Sequence, residues 1–366
     1  MKPTFTLRAG SISIGIHWTL LTLIGWILII DGLSGKTPMH TLWTLLALAG
    51  IFVSVILHEL GHMLMARYFG IPVTDIVLLP IGGAIKLKRQ PVNPRQEILI
   101  SLSGPVVSLL IGLIMIPFLP DARPIWKAIP LFMRSGGVNF LFLMHAVNLL
   151  IALINMIPAF PMDGGRILRG ILEIFTAPMK ATSIAIWVGR IVALLFIVSG
   201  MLNMNVLLIA TGIFLLLQGT FEKRDALIRA GLSGIALRDM LVHDYRVIPA
   251  GMSLREALVP LTDYRQPYFV IVDGSRPVGV ISRVTMLNHI DRRNIDRAVI
   301  DLLEESHPAL DISLSAVAAW DELPAETDLI VPVTSNGELT GVISRDAVLE
   351  YLMLHEQGAA LEEVYG

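Results

Sequence analysis

The chain contains no cysteine. Disulfide bonds, a thiolate nucleophile and any metal site with cysteine ligands are therefore excluded. A metal centre in this protein would have to be built from histidine, aspartate and glutamate. The absence of cysteine leaves the cellular compartment open.

Charge is also scarce in the first part of the chain. Residues 1–221 contain 15 Lys and Arg against 7 Asp and Glu, a net charge of +8, whereas residues 222–366 contain 13 against 23, a net charge of −10. The first part is typical of an integral membrane domain and the second of an acidic soluble domain. Because the basic residues are spread over predicted membrane loops, the sequence argues against nucleic-acid binding.

Long apolar runs take the place of charge in the first part. Six are long enough, or nearly so, to cross a bilayer. They are Ile12–Ile30, Leu42–Tyr68, Ile98–Leu119, Val138–Ile157, Thr182–Leu202 and Val206–Phe221. We interpret the first as a retained span, because no small-residue cleavage site follows it. The last two are separated by three residues, 203–205, which predicts a tight hairpin.

The distribution of Lys and Arg predicts an orientation. With the N-terminus inside, thirteen basic residues fall in inner segments and four in outer loops. The sequence therefore predicts a multi-pass protein, in the cell membrane, with both termini cytosolic. Arg190 lies within the fifth span, where it would have to snorkel or pair with a carboxylate.

Two local patterns predict β-structure. The segment 69–96 is too polar to span, and its alternating stretch Ala84–Lys88 predicts a strand or hairpin at the inner membrane face. In the acidic part, Gly279–Arg283 recurs as Gly341–Arg345, 62 residues later. This repeat predicts two α/β units, about 235–292 and 296–356, that pack as a pseudo-symmetric pair.

The sequence His58-Glu59-Leu60-Gly61-His62 follows the uncharged run Leu42–Leu57. On a helix, positions i and i+4 share a face, so the two imidazoles point the same way. Two neutral imidazoles in this arrangement can bind zinc, with Glu59 between them as a general base. Ionisable groups within a span are costly and indicate function.

A catalytic zinc ion usually has three protein ligands. Asp163 is our candidate for the third, because it follows the fourth span at the same predicted membrane face as His58. Pro158 and Pro161 would break the helix and let the carboxylate turn inward. Asp163-Gly164 on its own is also a common turn pair.

Taken together, these motifs resemble those of the site-2 proteases, a family of intramembrane zinc metalloproteases, in the subgroup with a C-terminal pair of CBS domains. The HExxH motif of the family matches His58, Glu59 and His62, and its NxxPxxPxDG motif matches Asn155, Pro158, Pro161, Asp163 and Gly164. A Ser-Gly-Pro motif matches Ser103-Gly104-Pro105, and an asparagine near the metal matches Asn148.

The resemblance implies one zinc ion per chain and cleavage of a transmembrane protein substrate in the bilayer, as in regulated intramembrane proteolysis. Glu59 would activate the attacking water, and Asn148 would donate a hydrogen bond to the reaction intermediate or the substrate backbone. Gly82-Gly83 would offer a strand edge to unwound substrate, and Asn155 is a further substrate-binding candidate.

For the acidic part, the resemblance implies a CBS pair that controls activity or substrate access. CBS pairs can bind an adenine nucleotide, and the candidate residues here are Ser282, Thr285, Ser344 and Asp346. In the second repeat Ala347 replaces the matching Thr285, and Asp346 lies one place early, so the ribose-binding pattern is incomplete. A purely structural role, or homodimerisation through the CBS domains, is the alternative.

The sequence therefore predicts a polytopic α-helical membrane domain, residues 1–221, followed by a soluble α/β tandem CBS-domain pair, residues 222–366. The rival function is a CBS-regulated membrane transporter or channel subunit with a metal site. Glu59 separates the two, because a transport site needs ligands but no base between them.

Overall fold

The computed structural model describes residues 5–9, 12–16, 19–79, 82–87, 91, 93–119, 137–263, 266–290, 295–303, 308–324 and 326–355. The chain divides into two compact units, Met1–Lys223 and Arg224–Gly366. We call them the membrane unit and the α/β unit and describe each by itself.

Helices, apolar except for the amphipathic fifth, make up most of the membrane unit, and the last of them continues past the end of that unit. They are α1 (Thr19–Leu33), α2 (Pro38–Tyr68), α3 (Pro94–Met115), α4 (Gly137–Asn155), α5 (Asp163–Glu173), α6 (Pro178–Leu202) and α7 (Val206–Leu232). By length and composition, α2, α3 with its 3-10 extension to Phe118, α6 and α7 can each cross a membrane. Helices α1 and α4 are apolar but shorter.

Six of these helices correspond to the six predicted spans, with one difference at the start. Ile12–Ile16, predicted to begin the first span, is a β-strand, and α1 begins only at Thr19 and has 15 residues. The sequence Ile-Ser-Ile-Gly-Ile alternates apolar with small residues, which is a period of two and favours a strand. The turn between α6 and α7 is tight as predicted, with Met204 at a positive φ of 51°.

A four-stranded sheet belongs to the membrane unit. Its strands are β1 (Phe5–Ala9), β2 (Ile12–Ile16), β3 (Val73–Leu79) and β4 (Gly82–Leu87), in that spatial order. β2 pairs in parallel with β3, and the other two pairings are antiparallel. The hairpin predicted within residues 69–96 is therefore confirmed. Among the described strands, β4 is an edge strand, and it lies against α2.

Helix α3 is central to the packing of the membrane unit. It contacts α2, α4 and α5. A Cβ added at Gly61 on α2 would lie 2.8 Å from the carbonyl oxygen of Ser103 on α3, so the two helices approach backbone to backbone there. Small residues permit such close packing in membranes.

The α/β unit contains two copies of one arrangement. β5 (Val247–Pro249), β6 (Tyr268–Asp273) and β7 (Arg276–Ser282) form one sheet, and β8 (Leu310–Asp311), β9 (Val331–Ser335) and β10 (Glu338–Ile343) form the other. In each, the first pairing is parallel and the second antiparallel. The helices are α8 (Leu254–Asp263), α9 (Arg283–Asn288), α10 (Ala316–Glu322) and α11 (Arg345–Leu354).

Each copy has its own apolar core, and a third cluster joins the two. Val270 and Val280 of the first sheet pack with Leu329 and Val342 of the second copy. The predicted fold class, a polytopic helical membrane domain followed by a tandem α/β pair, is confirmed. The predicted domain limits stay predictions.

Candidate metal centre

His58, His62 and Asp163 meet although the aspartate is about a hundred residues away in the chain. The two Nε2 atoms are 3.2 Å apart. Each Nε2 is also 3.2 Å from Oδ2 of Asp163. Both histidines are buried. Three ligand atoms therefore form a nearly equilateral triangle.

This triangle fits a tetrahedral metal ion. Nitrogen and oxygen ligands about 2.0–2.2 Å from zinc lie roughly 3.3 Å from one another, and a catalytic site leaves the fourth position open. Oδ2 of Asp163 is buried and has no hydrogen-bond partner. An orphaned carboxylate oxygen between two imidazole nitrogens is costly unless a cation satisfies it.

Helix α3 fixes the orientation of both rings. Nδ1 of His62 lies 2.7 Å from the carbonyl oxygen of Ile100, which can only accept, so Nδ1 donates and Nε2 carries the lone pair in the neutral ring. Nδ1 of His58 lies 3.0 Å from Oγ of Ser108, which is fully buried. Such outer contacts hold metal-binding histidines in one tautomer.

Gly104 leaves room for the metal. A Cβ added there would lie 2.2 Å from Nε2 of His62 and 2.8 Å from Nε2 of His58. The glycine of the Ser-Gly-Pro motif thus permits close helix packing and also leaves space at the ligand nitrogens. The backbone of α3 passes so close to the ligand nitrogens that any side chain at this position would fill the site.

The loop between α4 and α5 delivers Asp163 to the histidines. Asp163 is the first residue of α5, and the loop residues Ala159 and Phe160 are buried. The Phe160–Pro161 peptide is cis. A Cβ on Gly164 would lie 2.4 Å from the carbonyl oxygens of Met156 and Ile157, so the loop folds back directly onto the start of the helix.

A buried ion-pair cluster anchors α5. Nε of Arg169 donates to Oε1 of Glu97 on α3 at 2.9 Å, and its Nη1 donates to Oε1 of Glu222 on α7. The guanidinium also lies 5.4 Å from the ring centre of Phe160. The helix that carries Asp163 is thus tied to the helix that orients the histidines. We call these three charged residues the Arg169 cluster.

Comparison with known proteins identifies the family. The sequence pattern of peptidase family M50 matches residues 46–121 and 124–198. The chain is also 29% identical over 345 residues to a zinc metalloprotease from Methanocaldococcus jannaschii, covering 94% of this chain and 95% of that protein. The chain belongs to peptidase family M50.

Two solved structures are similar to parts of this M50 peptidase. A site-2 protease from M. jannaschii is 31% identical, and the match covers 60% of this chain and 94% of that protein, with a TM-score of 0.43. CBSX2 in complex with AMP is 22% identical, and the match covers 34% of this chain and 99% of that protein, with a TM-score of 0.30. The resemblance to the site-2 proteases is confirmed.

Other residues singled out from the sequence of the M50 peptidase occupy distinct environments. Glu59 is 9% exposed and directly follows His58 on α2. The amide nitrogen of Asn155 donates to the carbonyl oxygen of Ile151, one turn earlier on its own helix. Gly82 and Gly83 lie on the edge strand β4, paired with Leu79 and Leu78.

Asn148 is buried beside α2. Its amide nitrogen donates to Oγ of Ser54 at 2.9 Å and to the carbonyl oxygen of Met144 at 2.8 Å. Its Oδ1 is buried without a hydrogen-bond partner. Both donors are therefore engaged, and the free group is an acceptor, not the donor that the sequence analysis expected. Ser54 lies one helical turn before His58.

His145 joins helices. Its Nδ1 lies 2.7 Å from the carbonyl oxygen of Gly112 on α3 and donates to it. Sequence reasoning did not find Ser108, Ser54 or the Arg169 cluster, because these contacts depend on which helices are neighbours. The only signal in the sequence was their polarity within or beside apolar runs.

Two of the four nucleotide candidates in the α/β unit, Ser282 and Ser344, serve as helix caps. Oγ of Ser282 accepts from the backbone N–H of Thr285 at 2.9 Å, and the two hydroxyls are 2.8 Å apart. Oγ of Ser344 accepts from the backbone N–H of Ala347. The backbone N–H of Asp346 donates to the carbonyl oxygen of Thr327.

Proposed function

We propose that this chain is an intramembrane zinc endopeptidase that hydrolyses peptide bonds in or near transmembrane segments of other membrane proteins. It is a zinc metalloprotease and a membrane protein. The observation that carries the proposal is the 3.2 Å triangle that His58 and His62, on a membrane-length apolar helix, form with Asp163 at the start of α5.

Each residue of the centre has a distinct task. His58, His62 and Asp163 would hold the ion, which supplies Lewis acidity toward a peptide carbonyl and toward a water molecule. Glu59, buried on the same helix as the histidines, would take the proton from the attacking water and pass it to the leaving amine. Ser108 and the carbonyl of Ile100 keep the rings in the ligating tautomer.

Substrate would bind in extended form along β4. Hydrolysis requires an exposed peptide bond, so a transmembrane helix has to unwind locally. An edge strand offers unpaired backbone groups to such a segment, and β4 lies against the helix that carries the histidines. Gly82 and Gly83 leave that edge free of side chains.

We propose a revised role for Asn148. Its free Oδ1 can accept a backbone N–H of the substrate, whereas donation to an oxyanion would first require release of Ser54 or Met144. Asn148→Ala should therefore raise KM more than it lowers kcat.

The α/β unit would modulate activity in the proposed function. Ile228 and Leu232, at the end of α7, belong to an apolar core of that unit, and Glu222 earlier on α7 belongs to the Arg169 cluster. Cytosolic termini, cell-membrane location, adenine-nucleotide binding and a CBS homodimer remain parts of the proposal. Nucleotide binding is tested by calorimetric titration of ATP and AMP into the full chain.

The first test is zinc per chain, measured by elemental mass spectrometry on wild type, His58→Ala, Asp163→Ala and Glu59→Gln. We expect about one zinc in wild type and in Glu59→Gln, and a sharp loss in the two ligand variants. Full zinc in Asp163→Ala would contradict the ligand assignment. Metal transport that survives Glu59→Gln in proteoliposomes would favour the transporter instead.

A further inference from the structure

Arg190 occupies the middle of an apolar span. It is twelve residues from each end of α6, which runs from Pro178 to Leu202, so it lies about 18 Å along the axis from either end. The hydrocarbon core of a bilayer is about 30 Å thick. An arginine at this depth is costly and indicates function.

Within the described part of the chain, no carboxylate forms an ion pair with Arg190. The guanidinium carbon of Arg190 lies 5.5 Å from the ring centre of Trp187. Trp187 is itself 63% exposed. Arg169, in contrast to Arg190, forms ion pairs with two carboxylates. A single cation–π contact does not offset the desolvation of a guanidinium in hydrocarbon.

Arg190 lies at the level of the catalytic loop. A Cβ added at its neighbour Gly189 would lie 3.3 Å from Cα of Ala159, in the loop that delivers Asp163. Arg190 therefore lies at the same bilayer depth as the loop that leads to Asp163, the proposed metal ligand.

The surface beside Arg190 is an apolar stripe. Trp187, Ile191, Leu194 and Val198 recur at spacings of three and four residues and are all exposed. Arg190 is half-buried at the edge of this stripe. A membrane helix that packs on the stripe would meet the guanidinium in the middle of the bilayer.

We propose that this stripe docks the transmembrane segment of the substrate, and that the segment carries an aspartate or glutamate which pairs with Arg190. The inference rests on the proposed function and names its substrate class. A carboxylate is the complement of an unpaired guanidinium, and a bidentate pair fixes position as well as charge. The pair would set which peptide bonds lie at the depth of the catalytic loop.

Two other occupants fit less well. Lipid phosphates lie about 15 Å from the bilayer centre, well beyond the reach of a side chain unless the bilayer thins. A second copy of the chain, packed symmetrically on the same stripe, would bring one guanidinium toward another. Neither supplies a negative charge at the right depth.

The test measures docking without cleavage. The full chain carries Glu59→Gln to silence hydrolysis and Met204→Cys, an exposed position outside the stripe, for the single dye that the cysteine-free sequence allows. It is placed in phosphatidylcholine vesicles at pH 8. Labelled leucine–alanine transmembrane peptides with a central Asp or a central Asn are titrated, and energy transfer gives the affinity. We expect the Asp peptide to bind about tenfold more tightly.

Variants of Arg190 identify the group responsible. Arg190→Gln should abolish the preference for Asp, and Arg190→Lys should retain part of it. Lys180→Gln removes an exposed positive charge from the end of the same helix and should leave the preference unchanged. Circular dichroism shows that each variant is folded.

Equal affinities for the Asp and Asn peptides, or a preference that survives Arg190→Gln, would overturn the proposal. So would loss of the preference when anionic lipid replaces phosphatidylcholine, because competition from an anionic headgroup would show that Arg190 reaches the bilayer surface. The docking measurement needs neither zinc nor turnover. The proposed function is tested separately, by zinc content and by the effect of Glu59→Gln on turnover. Failure of one proposal can therefore be distinguished from failure of the other.

Discussion

Buried polar side chains are distributed very differently in the two units. Ten of the eleven buried polar or charged side chains in the described residues belong to the membrane unit, and one, Ser344, belongs to the α/β unit. The more apolar unit thus holds most of the buried polar groups. A soluble unit can leave polar groups in water, whereas a membrane unit has to gather those it keeps inside its fold.

Four of the ten buried polar side chains of the membrane unit lie at the metal centre. They are His58, Glu59, His62 and Ser108. Asn148 bonds Ser54, one helical turn before His58, and its Oδ1 and Oδ2 of Asp163 are both buried without a hydrogen-bond partner. Unsatisfied polar atoms are costly, so their concentration indicates groups that await a metal ion and a substrate.

If the buried polar groups of the membrane unit serve chemistry, the largest loss of activity is expected on substitution of Glu59. Glu59→Gln keeps the size of the side chain and removes the base, so turnover should fall by roughly 10²- to 10⁴-fold. The measurement is cleavage of a reporter transmembrane protein in proteoliposomes. Zinc content is the control and should stay near wild type. Near-normal turnover would remove Glu59 from the mechanism.

Arg169 should have the next largest effect, on stability. Arg169→Met leaves Glu97 and Glu222 without their partner, and breaking a buried ion pair costs about 3–5 kcal/mol. Thermal unfolding in detergent micelles measures the loss. The triple variant with Glu97→Gln and Glu222→Gln should recover part of it, because no carboxylate is then left unpaired. Equal thermal stability of wild type and Arg169→Met would show that the Arg169 cluster does not stabilise the fold.

Gly104 tests whether the approach of α3 leaves the space for the metal. Gly104→Ala places a methyl group 2.2 Å from Nε2 of His62. Zinc affinity should fall by at least the roughly 10- to 100-fold that changes around a metal centre cause. The matched control is Gly219→Ala, where the nearest atom to the new Cβ is 3.6 Å away. Competition with a chelator measures both.

The residues behind these predictions were not equally accessible from sequence. His58, Glu59 and His62 are local to one helix, so their shared face follows from the helical period. Asp163 was found because prolines mark the break before it. The Arg169 cluster joins residues 72 and 53 positions apart. Nothing in a periodic pattern states which helices become neighbours, so these contacts required the structure.

The same limit explains Gly104 and the N-terminal strands. A glycine within an apolar run is consistent with any helix contact, and only the packing of α3 on α2 shows that it faces two imidazole nitrogens. Strand β2 is five residues long and is followed closely by α1, so the sequence predicts one continuous apolar span where the structure has a strand and then a helix. Local patterns predict elements, and tertiary neighbours decide what they do.

The smallest effect is expected in the α/β unit. Ser344 caps α11 by accepting from the backbone N–H of Ala347 at 3.1 Å. Ser344→Ala should cost about 1 kcal/mol of stability, the usual value of an N-cap, and should leave zinc content unchanged. The measurement is thermal unfolding, with Ser315→Ala as a matched exposed N-cap on α10.

If Ser344→Ala instead lowered zinc content or turnover while Ser315→Ala did not, this buried hydroxyl would have a role beyond capping. The contrast between a membrane unit whose buried polar groups serve chemistry and an α/β unit whose polar groups serve folding would then fail at this residue.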